Sequence, residues 1–210
     1  MEQISKIISE KLLEIKAIKL EPTNYFTWAS GWYSPIYCDN RKTLSFPAIR
    51  DMIRDAFVET INEKFNDFDV VAAVATAAIA QGILVADKLK KPFVYVRPQA
   101  KDHGLGNQIE GDLKDGQKVL VIEDLISTGT SSLNAVKALQ NANCEVIGMV
   151  AIFSYNFNVA ITAFQNEKIK LVTLSNYNDL IDRALATGYI SKEELITLKE
   201  WRINPEFWNK

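Results

Sequence analysis

The chain has 210 residues, 48% hydrophobic and 24% charged, with a formal net charge of −2. That matches an ordinary soluble globular protein, read as one domain with an appendage and long enough to bury a sizeable core. It excludes a broad basic surface for nucleic acid or membrane, so any handling of phosphate must rest on a few local cations. Cys38 and Cys144 lie far apart and resemble neither a disulfide framework nor a metal site. No apolar run reaches spanning length and the acidic start is unlike a signal peptide, so the expected compartment is the cytoplasm.

Residues 2–17 place Ile4, Ile7, Ile8, Leu12 and Ile15 on one helical face with Glu and Lys opposite, which predicts a packing helix. Then aromatics cluster at Tyr25, Phe26, Trp28, Trp32, Tyr33 and Tyr37, punctuated by the turn pairs Ser30-Gly31 and Ser34-Pro35. This stretch reads either as an aromatic-rich hairpin covering an edge or as a stacking platform and lid for a flat heterocycle. A second amphipathic helix spans 46–65 through Ile49, Met52, Ile53, Ala56, Phe57 and Ile61. Phe68 to Val74 reads as the first core strand, followed by small residues from Ala75 to Gly82 and a helix to about Lys90. Small residues directly after a strand allow a backbone-lined anion site; a well-packed helix start has the same pattern.

Pro92 to Val96 is the next strand. The polar stretch Arg97 to Gly116 then offers no core residue, and a loop that long is either disordered or functional. It carries the only histidine of the chain, His103, between Lys101 and Gly104.

The stretch Lys118 to Ser132 is the most informative. Val119, Leu120, Val121 and Ile122 read as a strand buried on both faces, as in a parallel sheet. The strand is expected to stop on two carboxylates, Glu123 and Asp124, outside the buried run. After Leu125 and Ile126 comes Ser127-Thr-Gly-Thr-Ser131, and then a helical pattern through Leu133, Val136, Ala138 and Leu139. A helix N-terminus leaves backbone N–H groups unpaired, so a turn of Ser, Thr and Gly there can wrap a phosphate. Gly129 lets backbone approach closely, and the hydroxyls of Thr128, Thr130 and Ser131 add donors. Two carboxylates beside it can accept hydrogen bonds from a vicinal diol. Together they suggest a ribose 5-phosphate site at the carboxyl end of a parallel strand. An ordinary Ser/Thr cap would need no acidic pair before it. No Lys follows the Gly, so this is not a Walker-type loop. Further strands are expected at 144–153 and 169–174, and two short packing helices, separated at Thr187-Gly188, in 177–210. Strands alternating with helices from 68 to 175 give an α/β fold with a parallel sheet.

The segment Ile122 to Ser131 resembles the phosphoribosyl-pyrophosphate (PRPP) signature of type I phosphoribosyltransferases, and its Glu-Asp-Leu-Ile-Ser-Thr-Gly form is most similar to orotate phosphoribosyltransferases. Ser-Gly-x-x-Ser-Pro-x-Tyr, from Ser30 to Tyr37, resembles the segment of that family that covers the base. Arg97-x-x-x-Lys101-x-His103-Gly104 is similar to its mobile catalytic loop. The chain departs from the family pattern at Thr130, where many relatives have a second Gly, at Tyr33 and Pro98, where a Lys is frequent, and at Ala73, Ala77 and Ala78 around the small-residue turn. Ser154 stands where some relatives place an Arg that holds the base, so that role is not transferred, and Arg41 is one candidate to meet the base's carboxylate.

The resemblance implies a parallel-sheet type I phosphoribosyltransferase core with an N-terminal hood subdomain. The divisions would be 1–46 for the helix and hood, 47–175 for the core, and 176–210 for C-terminal helices packing on core or hood. It implies transfer of phosphoribosyl from PRPP to orotate. PRPP would be held by Arg97, Lys101, His103, Glu123, Asp124, Leu125, Ile126, Ser127, Thr128, Gly129, Thr130 and Ser131. Lys101, His103 and Asp124 would act in catalysis, and Ser127 would also contact orotate. Mg2+ is implied as cofactor, held mainly by PRPP with no direct protein ligand. A homodimer is implied, with each loop reaching the neighbour's active site. Two alternatives stay open: a phosphoribosyltransferase for another nucleobase, and a non-catalytic PRPP-sensing regulator of the same fold.

Overall fold

A computed structural model describes residues 2–28, 31–99 and 108–208. Its centre is a six-stranded sheet in the order β10-β9-β8-β5-β6-β7. These strands are β5 (Val70–Val74), β6 (Phe93–Val96), β7 (Ile109–Glu110), β8 (Lys118–Ile126), β9 (Glu145–Ser154) and β10 (Leu171–Asn176). All neighbours are parallel except β7, which runs antiparallel to β6. The helices are α1 (Glu2–Glu14), α2 (Pro47–Lys64), α3 (Ile79–Leu89), α4 (Thr130–Asn141), α5 (Asn158–Asn166), α6 (Tyr177–Ala186) and α7 (Lys192–Ile203).

Side chains alternate faces along a strand, and both faces are covered here, so the central strands are apolar throughout. Val71, Leu120, Ile122, Val150 and Ile152 point into a cluster with Ile8 and Leu12 of α1, Ile53, Phe57 and Ile61 of α2, Leu180 and Ile181 of α6, and Trp201 of α7. Val70, Ala72, Val119, Val121, Met149 and Ala151 face the other side, against Leu133, Val136 and Leu139 of α4 and Phe164 of α5. The helix expected at 2–17 ends at Glu14, and Ile15 is buried beyond it. The aromatic stretch forms two small antiparallel pairs. β2 (Phe26–Thr27) pairs with β3 (Tyr33–Ser34), while β4 (Ile36–Cys38) pairs with β1 (Ile18–Leu20). A 3-10 helix, Asn40–Ser45, then leads into α2.

Two sequence expectations need correction. The strand at 118 does not stop at the acidic pair: β8 continues through Ile126, because β9 keeps pairing with it as far as Ile126–Ser154. The polar stretch 97–116 is not without core residues, since Ile109 pairs with Val96 and both Ile109 and Leu113 pack on the α4 side of the sheet.

The C-terminal helix is fastened by Trp201. Its ring is fully buried against Trp28, Tyr155, Phe157 and Tyr177, and its indole N–H donates to the Tyr33 carbonyl at 3.1 Å. Trp201→Ala removes this packing and leaves a carbonyl without its donor. It is expected to cost about 3–5 kcal/mol in urea unfolding at constant m-value. A loss below about 1 kcal/mol would show that α7 is only loosely attached.

Candidate active site

The carboxyl ends of β5, β6, β8 and β9 lie along one edge of the sheet, the edge where parallel sheets bind ligands. At the end of β8 the acidic pair divides into two environments. Glu123 is 5% exposed; its carboxylate accepts from the Ser132 hydroxyl of α4 at 2.8 Å and from the Asp124 N–H at 2.9 Å. Asp124 is only partly buried, and its main-chain carbonyl accepts from the Asn40 amide at 2.7 Å. Burial pushes the Glu123 carboxyl well above the ordinary carboxylate range, and the neighbouring Asp124 charge adds to the rise. Asp124 is raised as well, again by burial, but a hydrogen bond from Glu123 and the charge of Arg41 work against the rise. Both carboxyls are therefore pushed up, Glu123 the more strongly. The expectation that both acids stand outside the buried run holds for Asp124 only. The Ser132 hydrogen bond ties Glu123 to the first turn of α4.

Beyond β8 the chain turns through Ser127, Thr128 and Gly129 into α4. Gly129 sits at φ +83° with the Phe164 ring 3.0 Å from where a Cβ would stand, so both conformation and space select glycine. No side chain caps α4, which leaves its first-turn N–H groups to a ligand. Thr128 and Thr130 hydroxyls lie 3.2 Å apart, and Thr130 and Ser131 are exposed. These groups form a cradle suited to an anion, three residues beyond Asp124 in the chain. Ile126 is fully buried and faces the α4 side, so it shapes the turn from below.

Beside the cradle is a cavity of about 440 Å3 lined by Thr27, Trp28, Trp32, Tyr37, Cys38, Leu125, Ser127, Thr128 and Tyr155. Trp28 and Trp32 lie nearly parallel with ring centroids 6.2 Å apart, and Tyr155 stacks on Phe157 behind them. The Trp28 indole N–H donates to the Ile36 carbonyl at 3.1 Å, which fixes that ring. Such a slot suits a flat heterocycle. Within the aromatic stretch, Phe26–Thr27 and Tyr33–Ser34 pair as a small hairpin, and Trp28, Trp32 and Tyr37 line the slot. Tyr33 is not among those wall residues, and Arg41 stands paired with Asp39 at 2.6 Å.

Arg97 follows β6 on the same edge. Its N–H donates to the Gln108 carbonyl at 2.8 Å, and its guanidinium lies 3.5 Å from Glu110. The two ends of the intervening segment are thereby tied together. Lys101 and His103 fall outside the described residues. Ala75, Thr76 and Ala77 lie after β5, with Thr76 exposed at the same edge. Close approach is enforced at Gly82 instead, where a Cβ would come within 2.7 Å of Ala73 and 2.9 Å of Phe93. Sequence reasoning missed Tyr155, Cys38 and Asn40. Tyr155 could have been suspected from its position directly after a core strand; the other two carried no signal.

A family model described as phosphoribosyl transferase domain matches residues 42–176. The orotate phosphoribosyltransferase of Bacteroides thetaiotaomicron is 57% identical over 209 residues, covering 100% of this chain and 99% of the relative. Among solved structures, the Mycobacterium tuberculosis H37Rv orotate phosphoribosyltransferase aligns with a TM-score of 0.70 at 26% identity, over 84% of this chain and 98% of that one. The Aeropyrum pernix orotate phosphoribosyltransferase shares the fold with a TM-score of 0.76 at 24% identity, over 88% of this chain and 99% of the other. With its phosphate turn, its aromatic slot and near-full-length identity of this degree, the chain belongs to the orotate phosphoribosyltransferase family.

Proposed function

We propose that this protein transfers the 5-phosphoribosyl group from PRPP to orotate, giving orotidine 5′-monophosphate and pyrophosphate in pyrimidine synthesis. The observation that carries the reading is that Ser127 and Thr128 belong to both the anion cradle and the aromatic slot. A ribose 5-phosphate seated in the cradle therefore presents its ring next to a heterocycle in the slot. A ring nitrogen of orotate forms the bond to the anomeric carbon as the carbon–oxygen bond to pyrophosphate breaks; the electron pair leaves with pyrophosphate, and the proton of the ring N–H passes to that leaving group or to solvent. The Asp124 carboxyl group binds the ribose hydroxyls, and its negative charge when ionised favours the positive charge that develops on the sugar. Ser127 to Ser131 hold the 5′-phosphate. Arg97, Lys101 and His103 stabilise the departing pyrophosphate.

Magnesium fits the donor set as a substrate-borne ion. Mg2+ is commonly held by one or two carboxylates together with substrate phosphates. Asp124 is the less buried of the two carboxylates, whereas Glu123 is bonded to Ser132. Bound with PRPP, the ion would neutralise charge on the leaving group. We further read the protein as a cytoplasmic homodimer whose Lys101 and His103 act in the neighbouring site.

The direct test is product formation on mixing the protein with orotate, PRPP and magnesium, beside uracil and purine bases. Orotidine 5′-monophosphate and pyrophosphate should appear in equal amounts with orotate alone, and preference for another base would overturn the assignment. In the same assay Thr128→Val should raise the PRPP requirement roughly tenfold through loss of a hydroxyl donor.

Glu123 generates a stability prediction. Its folded pKa is raised, so its contribution is fully present below the unfolded value of about 4.3 and is lost as pH rises through the folded value. Glu123→Gln removes that loss and also relieves Asp124. Urea unfolding between pH 4 and pH 8 should show the wild type losing stability relative to Glu123→Gln as pH rises. A parallel pair of curves would mean that Glu123 is not buried with its proton.

Subunit sharing is tested by mixing inactive Lys101→Ala with inactive Asp124→Asn. Random exchange makes half the dimers mixed, each with one intact site, so activity should recover towards about a quarter of wild type. Confirmed exchange without recovery would place the loop's action within its own subunit.

A further inference from the structure

Asn40 is 2% exposed and joins two parts of the site that the transfer reaction uses separately. Its Nδ2 donates to the Asp124 main-chain carbonyl at 2.7 Å, and its Oδ1 accepts from the Cys38 thiol at 3.4 Å. Cys38 is itself a wall of the aromatic slot. Burial pushes the Cys38 thiol well up, with the Asp124 charge adding to it, so the sulfur keeps the proton it donates. The Asn40 main chain is held in turn: its carbonyl accepts from the Thr43 hydroxyl at 2.6 Å, and Gln81 of α3 donates to that hydroxyl at 3.4 Å.

The amide can face only one way. Turning it over would set Oδ1 against the Asp124 carbonyl oxygen, two acceptors in contact inside the protein. The place where it acts also matters. Pairing between β5 and β8 ends at Ala73–Ile122, so the acidic pair sits where the sheet has lost its neighbour on that side. Ser132 holds Glu123 from α4, and Asn40 holds the Asp124 peptide from the N-terminal segment.

We propose that Asn40 is a positioning residue that fixes Asp124 relative to the base slot, so that a single buried amide sets the distance between the ribose and the heterocycle. It touches no substrate and acts through Asp124 on one side and Cys38 on the other. The inference rests on the reading of Asp124 as the carboxylate that holds the ribose.

Asn40→Leu keeps a branched side chain of similar reach and removes both hydrogen bonds. Steady-state kinetics are measured well below the variant's melting temperature, together with orotate binding followed by tryptophan fluorescence. The expected result is a fall of about tenfold or more in kcat/KM for PRPP, with orotate affinity held within about twofold. Cys38→Ala should lower kcat/KM for PRPP by a smaller factor, and the double variant should be no worse than Asn40→Leu alone, as for members of one hydrogen-bonded chain. PRPP kinetics within about twofold of wild type in folded Asn40→Leu would overturn the proposal, since a role in folding alone shifts the melting temperature and leaves this ratio intact. Equal losses in orotate affinity and PRPP use would overturn it too, as general distortion of the site. Where Asn40→Leu does not fold, Cys38→Ala decides: unchanged kcat/KM for PRPP refutes the link. Asp124→Asn, run alongside, separates the two layers. If it leaves PRPP use unaltered, the reading of the site fails; if it impairs PRPP use and Asn40→Leu does not, only the role of Asn40 falls.

Discussion

The hydrogen bond from Ser132 to Glu123 is the interaction on which the site depends. A carboxyl group so deeply buried at the end of a strand is costly unless its oxygens are satisfied. Here one oxygen takes the hydroxyl of the third residue of α4, and the other takes the N–H of the next residue in its own strand. That pins the helix start to the strand end across the whole phosphate turn. Ser127, Thr128 and Gly129 are thus held at both ends, and the turn is formed before any ligand arrives. Preorganisation of this kind lowers the ordering cost of binding. It also leaves Asp124, one residue on, the less buried of the two acids.

Much of this was legible because it is local. The apolar run Val119 to Ile122, the acidic pair and the hydroxyl-rich turn follow one another in sequence, and so do the elements they form. Helix periodicity likewise located α2, α3 and α4 to within a few residues, since each buries one stripe on the sheet. What local pattern could not give was partnership. Burial of Glu123 depends on Ser132 in a different element, and nothing in Glu-Asp distinguishes the buried acid from the accessible one. Strand β7 is two residues long and has no period to detect; it exists because β6 offers an open edge.

The aromatic slot shows the same limit more strongly. Trp28, Trp32 and Tyr37 were visible as an aromatic cluster, but Tyr155 closes the slot from a strand end more than a hundred residues away. Its neighbour Phe157 lies two residues on in the same turn, while Tyr177 and Trp201 come from two further elements, α6 and α7. Long-range packing decides which rings face a ligand and which face the core. Tyr33 shows the converse, since it is half-exposed and its contribution is its carbonyl, which receives the Trp201 indole N–H.

This arrangement couples substrate recognition to the attachment of the C-terminal helices. Trp201 contacts Trp28 and Tyr155, two walls of the slot, and Arg202 next to it donates to the carbonyls of Tyr155 and Asn156. The turn after β9 is therefore held from α7 as well as by its own bonds to Ser154 and Ile126. On the other flank, α1 is held to α6 by Arg183 and Glu10, and to β10 by the Ser9–Ser175 hydroxyl pair at 2.6 Å. The N-terminal segment that carries the aromatic rings and the C-terminal helices that brace them pack into one apolar cluster with the sheet. A slot built this way keeps its width only while α7 is docked. The phosphate turn, clamped locally by Ser132 and Glu123, does not share that dependence, so base recognition is the part of the site exposed to changes at the C-terminal end of the chain.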